Sequence, residues 1–207
     1  MGWEADILLY LQNNMRSDLA DPVMSFITHT GDKGIAYIAL VLILLIIPKS
    51  RRIGIITAIS IAVESLVTNL VIKNLVARPR PFDVIEGLET VIKRPADYSF
   101  PSGHTGAAFA LAGAVLFIAL LGFPVAAKKG GITREKASKA VKLFAALMLV
   151  YSVVLAFTRM YVGVHYPTDV LGGLLIGTGT SILAYFIYHL AVRKIASRKA
   201  LIETEEV

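Results

Sequence analysis

Three short clusters of chemically capable residues follow one another along this chain. Lys73 is followed seven positions on by Arg80-Pro81, then comes Pro101-Ser102-Gly103-His104, and last Arg159 with His165 six positions on and Asp169 four beyond that. Three cations, two imidazoles and one carboxylate are the parts needed to pass a phosphoryl group through a histidine without a metal. Cysteine is absent, which removes thiolate nucleophiles, disulfides and Cys-based metal sites. No cofactor is implied.

Each cluster has a local geometry that suits this chemistry. Pro79 and Pro81 force the backbone around Arg78 and Arg80 out of helix, so that Lys73 and Arg80 can converge on one anion. A Lys or Arg at a helix end, taken alone, is an interfacial anchor, and Arg78 keeps that reading or a supporting one. Ser102 falls at the N-cap of the apolar run Thr105 to Phe123, and the outward amides at such a helix start bind phosphate. Gly103, lacking a side chain, lets an anion approach the backbone, and His104 beside it is placed to donate a proton. Pro167 predicts a helix start with Asp169 in the first turn and His165 just before it. Asp169 is then expected to accept the Nδ1 proton of His165, leaving Nε2 free to attack. A zinc site would need further ligands at matched spacing, and none is evident.

The elements that must position these residues are membrane helices. Of 207 residues 56% are apolar and 17% charged, and the mean hydropathy is +0.67. Stretches of roughly 20 residues, enough to cross about 30 Å of hydrocarbon, lie near 33–50, 53–76, 104–123, 140–160 and 169–192. The first has a strictly apolar core of only 13 residues, Ile35 to Ile47, and reaches full length if Lys33 and Lys49 snorkel. Residues 3 to 30 mix short apolar runs with Asn13, Asn14, Arg16, Asp18 and Asp21, which suits helices lying at the interface better than a sixth crossing. The run Ile7 to Leu11 is too short for a signal peptide. The expected fold is all-α: a polytopic transmembrane helical bundle of five to six spans with interfacial N-terminal helices, residues 1–207 forming a single membrane-embedded domain.

With five spans, all three clusters meet on one membrane face. The opposite face collects 13 of the 21 basic residues, in runs from Lys49 to Arg52, Lys128 to Lys142 and Arg193 to Lys199. By the positive-inside rule that face is cytoplasmic and the clusters face outward, which fits a plasma-membrane protein. The net charge of +6 sits in these loops with no basic stripe carrying interleaved aromatics, so the bilayer is the expected partner and nucleic acid is not. The loop from Arg78 to Pro101 is long and hydrated, and could lie over the site as a lid. In the basic loop from Lys128 to Lys139, Gly130-Gly131 favours a turn and Thr133-Arg134-Glu135 a helix start.

In order and spacing the three clusters resemble the signature of the type 2 phosphatidic acid phosphatase family of membrane lipid phosphatases. They are most similar to its small bacterial members acting on phosphatidylglycerol phosphate or undecaprenyl pyrophosphate. The resemblance implies that Lys73, Arg80 and Arg159 hold the phosphate with Ser102 and Gly103. It further implies that His165 is the nucleophile oriented by Asp169, and that His104 is the acid. The family usually has Ser where this chain has Thr158, and typically six spans where five are counted here. The implied substrate is a membrane lipid phosphate, either monoester or pyrophosphate; no obligate protein partner is indicated.

Glu64 lies mid-span near Thr68 and Asn69, where an ionisable residue is a functional candidate. Nine residues from Lys73, about 13 Å along a helix, it also suits an interhelical hydrogen bond. His29 and His189 read as interfacial, and Gly173 with Gly177 as a helix-packing face within one molecule. The rival readings are a lipid phosphotransferase, a soluble-substrate phosphatase, a vanadate-binding haloperoxidase, and a non-catalytic lipid binder or transporter. Binding alone would require neither an acid nor a nucleophile with its orienter.

Overall fold

The computed structural model describes residues 2–127 and 131–205. Helices α1 (Trp3–Met15), α2 (Ala20–His29) and α3 (Ile35–Ile46) open the chain, with a short 3₁₀ turn at Asp32–Gly34 between the last two. Helix α4 (Arg51–Ser65) runs on through a π-helical stretch, Leu66–Ile72, into α5 (Lys73–Val76). A single turn, α6 (Pro81–Val84), precedes the long loop to α7 (Gly103–Leu121). A hairpin of β1 (Phe123–Ala126) and β2 (Ile132–Glu135) leads to α8 (Lys139–Tyr161), and α9 (Pro167–Glu205) closes the chain.

Among the described residues, four segments are long and apolar enough to cross a membrane: Arg51–Val84, Gly103–Leu121, Lys139–Tyr161 and Pro167–Ile202. Helix α3 spans only about 18 Å by itself. It meets the requirement jointly with α2, the pair bending by 42° between them, and the count reaches five when the pair is taken as one span. Lys33 and Gly34 both take left-handed backbone at this corner, with φ of 53° and 69°, and so turn the chain.

Helix α7 is the central element, packed against α4, α8 and α9, and two-thirds of it is buried. Its composition explains this position, because Gly106, Ala108, Ala110, Ala112, Gly113 and Ala114 let neighbouring backbones approach closely. Ser60 of α4 and Ser152 of α8 donate hydrogen bonds to its Ala110 and Ala108 carbonyls, each at 2.9 Å. On α9, a Cβ at Gly173 would lie 2.5 Å from the Ser102 carbonyl oxygen, and one at Gly177 would lie 2.2 Å from that of Gly106. These two glycines are the packing face expected of them. Leu143, Leu147, Val150 and Val153 of α8 face outward, as lipid contact requires.

Residues 133–135 form strand rather than a helix start. Gly122, at φ 77°, ends α7, after which Phe123 pairs with Glu135 and Ala126 with Ile132 in an antiparallel ribbon. The β-branched Ile132 and Thr133 suit that pairing, and α8 begins later, where Ser138 caps the Val141 amide at 3.3 Å. The turn expected at Gly130-Gly131 lies partly outside the described residues.

Candidate active site

Helix ends and loops bring the three clusters to one cavity of about 660 Å³, whose wall includes Lys73, Arg80, Gly103, His104, Arg159 and His165. Lys73 arrives on the turn after the π-helical stretch, and Ala77, in left-handed backbone at φ 46°, swings the chain off that helix. Arg80 then precedes Pro81 at the first position of α6. Gly103 and His104 open α7, Arg159 lies in the last turn of α8, and His165 occupies the tight connection to α9.

His165 is 1% exposed. Its Nε2 lies 3.2 Å from Arg80 Nη1, and its Nδ1 lies 3.4 Å from Asp169 Oδ2. The latter is beyond the usual 2.7–3.2 Å of an N–H···O bond, and Nδ1 has no hydrogen-bond partner among the described residues. The expected Nδ1–Asp169 hydrogen bond is therefore close but not made, and Asp169 is held by other donors. Its Oδ1 accepts from Arg78 at 2.7 Å, and its Oδ2 accepts from the Ser99 hydroxyl at 2.5 Å and the Tyr166 amide at 2.9 Å. Burial first, then the charges of Arg80, Arg159 and Lys73, push the His165 pKa well below its ordinary range, so the ring is neutral.

Arg78 is more than an anchor. It bridges Asp169 and Glu4, the latter at 2.7 Å, with its guanidinium 3.8 Å from the centre of the Tyr166 ring. Glu4 also accepts from the Thr168 hydroxyl at 2.7 Å and amide at 3.1 Å. Burial works to raise the Glu4 pKa, but these bonds and Arg78 outweigh it and hold the carboxyl below its usual value. Through this network α1 is tied to the start of α9.

Asp97, from the long loop, spans the two cations of the first cluster. One carboxylate oxygen contacts Lys73 Nζ, the other accepts from Arg80 Nη2 at 2.6 Å, and the Asp97 carbonyl accepts from Arg80 Nε at 2.8 Å. Burial alone would raise its pKa, but Lys73 and Arg80 hold it down at about 2. With Ile92, Lys93, Arg94 and Pro95 also in the wall, the loop lies against the site as its length suggested. Arg159 is buried and donates to Thr28 at 2.5 Å, while its Nε has no partner among the described residues. His104 Nε2 lies 2.9 Å from Asp32 Oδ1.

Ser102 lies behind this surface, fully buried, with its oxygen accepting from the Thr105 hydroxyl at 2.9 Å. Of its pair only Gly103 reaches the cavity wall. Glu64 reaches it too while accepting from Thr68 at 2.8 Å, so its separation from Lys73 along the sequence does not remove it from the site. Asp32, Asp97, Thr28 and Glu4 carry no motif spacing, and only tertiary packing brings them in.

A model of the PAP2 superfamily matches residues 52–193. The undecaprenyl-diphosphatase of Sulfolobus acidocaldarius is 30% identical over 184 residues, covering 89% of this chain and 78% of that one. Undecaprenyl-diphosphatase BcrC of Bacillus subtilis is 31% identical, covering 77% and 70% respectively. The crystal structure of Aquifex aeolicus LpxE aligns with a TM-score of 0.67 at 24% identity, over 89% of this chain and 95% of that one, which is a likeness of fold. Motif order, helical architecture and sequence similarity agree: the chain belongs to the PAP2 superfamily and is an integral membrane lipid phosphatase.

Proposed function

We propose that the protein hydrolyses a polyprenyl diphosphate lipid through a phosphohistidine, residues 1–207 acting as one unit with the site on the outer face of the plasma membrane. The observation that carries the reaction is the convergence of Lys73, Arg80, Arg159, His104 and a neutral His165 on one cavity. The terminal phosphate takes the place of the Asp97 carboxylate on Lys73 and Arg80. His165 Nε2 attacks phosphorus, and the bond to the bridging oxygen breaks as His104 protonates that oxygen. Asp169 closes on Nδ1 as positive charge develops in the ring; such bonds commonly tighten only in the reacting complex. Water, giving its proton to His104, then splits the N–P bond and releases phosphate. The three cations and the Gly103 amide balance the equatorial oxygens, and Ser102 supports that helix end from behind.

The choice of a diphosphate is supported by the activity named for the two relatives above, and the outward orientation by the clustering of loop cations on the opposite face. Phosphate release from undecaprenyl diphosphate, phosphatidylglycerol phosphate and phosphatidic acid by the purified protein in detergent tests the substrate. Undecaprenyl diphosphate is expected to give the highest kcat/KM, and a preference for either monoester would replace that choice.

A further inference from the structure

The corner between α2 and α3 lies outside the three clusters, yet it touches the reaction centre directly. Asp32 Oδ1 is 2.9 Å from His104 Nε2, and its other oxygen is 3.9 Å from His29 Nε2. Beside it, a Cβ built on Gly31 would fall 2.6 Å from His104 Cδ2, so no side chain fits there without moving the ring. The Cδ2–Nε2 edge of the imidazole is thus seated on Gly31 and Asp32. Two independent features of one corner, a carboxylate acceptor and a glycine that admits the ring, act on the same histidine.

From this geometry we infer that Asp32 is a positioning residue for His104, giving the second histidine of the site a carboxylate partner just as Asp169 serves the first. The inference rests on the reading of His104 as acid and base. Asp32 accepts the Nε2 proton throughout the cycle, which fixes the ring and leaves the opposite edge, with Nδ1, to exchange protons. The proton on Nδ1 passes to the leaving oxygen as the P–O bond breaks. The proton of the attacking water returns to Nδ1 as the N–P bond breaks, so the histidine ends as it began. Asp32 takes no proton itself; it stabilises the positive charge that the ring carries while Nδ1 holds the proton to be transferred. The 42° bend between α2 and α3 gains a purpose here, since the left-handed pair Lys33-Gly34 turns the chain immediately after Asp32.

The test is a double-mutant cycle on the full-length protein in detergent, using Asp32→Asn, His104→Ala and the double variant, with kcat and KM measured on the best lipid substrate. Asp32→Asn should lower kcat at least about tenfold, inside the roughly 10² to 10⁴ that acid–base catalysis supplies, with KM within about twofold of wild type. Asp32→Glu should recover part of the loss. In the His104→Ala background the same Asp32→Asn change should cost less than about twofold, because its effect passes through the imidazole. Wild-type kcat in Asp32→Asn, or an equal loss with and without His104, would overturn the inference while leaving the role of His104 standing. Wild-type turnover in His104→Ala would instead sink the acid–base reading beneath it.

Discussion

At the scale of single residues, the proposed chemistry depends on a neutral His165 among cations. Because the His165 pKa lies well below its ordinary value near 6.5, the folded protein keeps the ring unprotonated where an unfolded chain would begin to charge it. Its contribution to stability is therefore present above about pH 6.5 and is lost as the pH falls below that, the unfolded chain binding the proton first. Asp97, held at about 2, acts in the same direction further down, its contribution fading as the pH drops from about 4. Nitrogen NMR of His165 in detergent should find the ring neutral at pH 6.5; half-protonation there would contradict this. Asp97 also rests on Lys73 and Arg80, where the proposed mechanism places the phosphate. Asp97→Asn is expected to lower KM and the inhibition constant for inorganic phosphate, on the order of threefold to tenfold. A raised KM would mean that the carboxylate arranges the cations instead of competing for them. The cluster residues were readable from spacing because each lies at a helix end. Asp97 and Asp32 were not, since a carboxylate in a loop looks like any solvated charge until the fold closes.

At the scale of elements, the site depends on how closely α9 rides on α7. Gly173 faces the Ser102 carbonyl and Gly177 faces Gly106, so the Pro-Ser-Gly-His turn and the helix that follows His165 share one backbone contact. A methyl at Gly177 would meet the Gly106 oxygen at 2.2 Å and the Ala110 nitrogen at 2.9 Å, both backbone atoms that cannot turn aside. Gly177→Ala should destabilise the protein by about 1–3 kcal/mol, the usual cost of overpacking, and lower its thermal midpoint. At Gly179 nothing lies within 4 Å, and Ala there should stabilise by about 0.5–1 kcal/mol through helix propensity alone. Equal effects at the two positions would show that packing is not the cause. The small-residue pattern announced this contact in the sequence. The π-helical stretch Leu66–Ile72, which ends just before Lys73, gave no such sign, because its residues are ordinary for a spanning helix.

At the scale of the whole molecule, the apolar windows from 53 onward located four spans because each is one continuous segment. The α2–α3 pair is harder to see. Its two halves are separated by a polar corner, Thr30-Gly31-Asp32-Lys33-Gly34, which a hydropathy window reads as the edge of the membrane. That corner carries the carboxylate against His104, so the break in the apolar pattern and the proposed positioning contact have one origin. Thr133-Arg134-Glu135 reads as a helix start but forms part of β2 for a different reason, since a four-residue hairpin arm is too short for periodicity to distinguish. Around these elements the bundle presents apolar side chains to lipid and brings Lys73, Arg80 and Arg159 to one cavity, a layout suited to a substrate whose phosphate stays at headgroup level. The most direct test is phosphate release from lipid substrate in excess EDTA, comparing the wild type with His165→Ala. Release that is unchanged by the chelator in the wild type and abolished in the variant is the predicted result. Loss of wild-type activity in EDTA, or turnover surviving in His165→Ala, would contradict a metal-independent histidine mechanism.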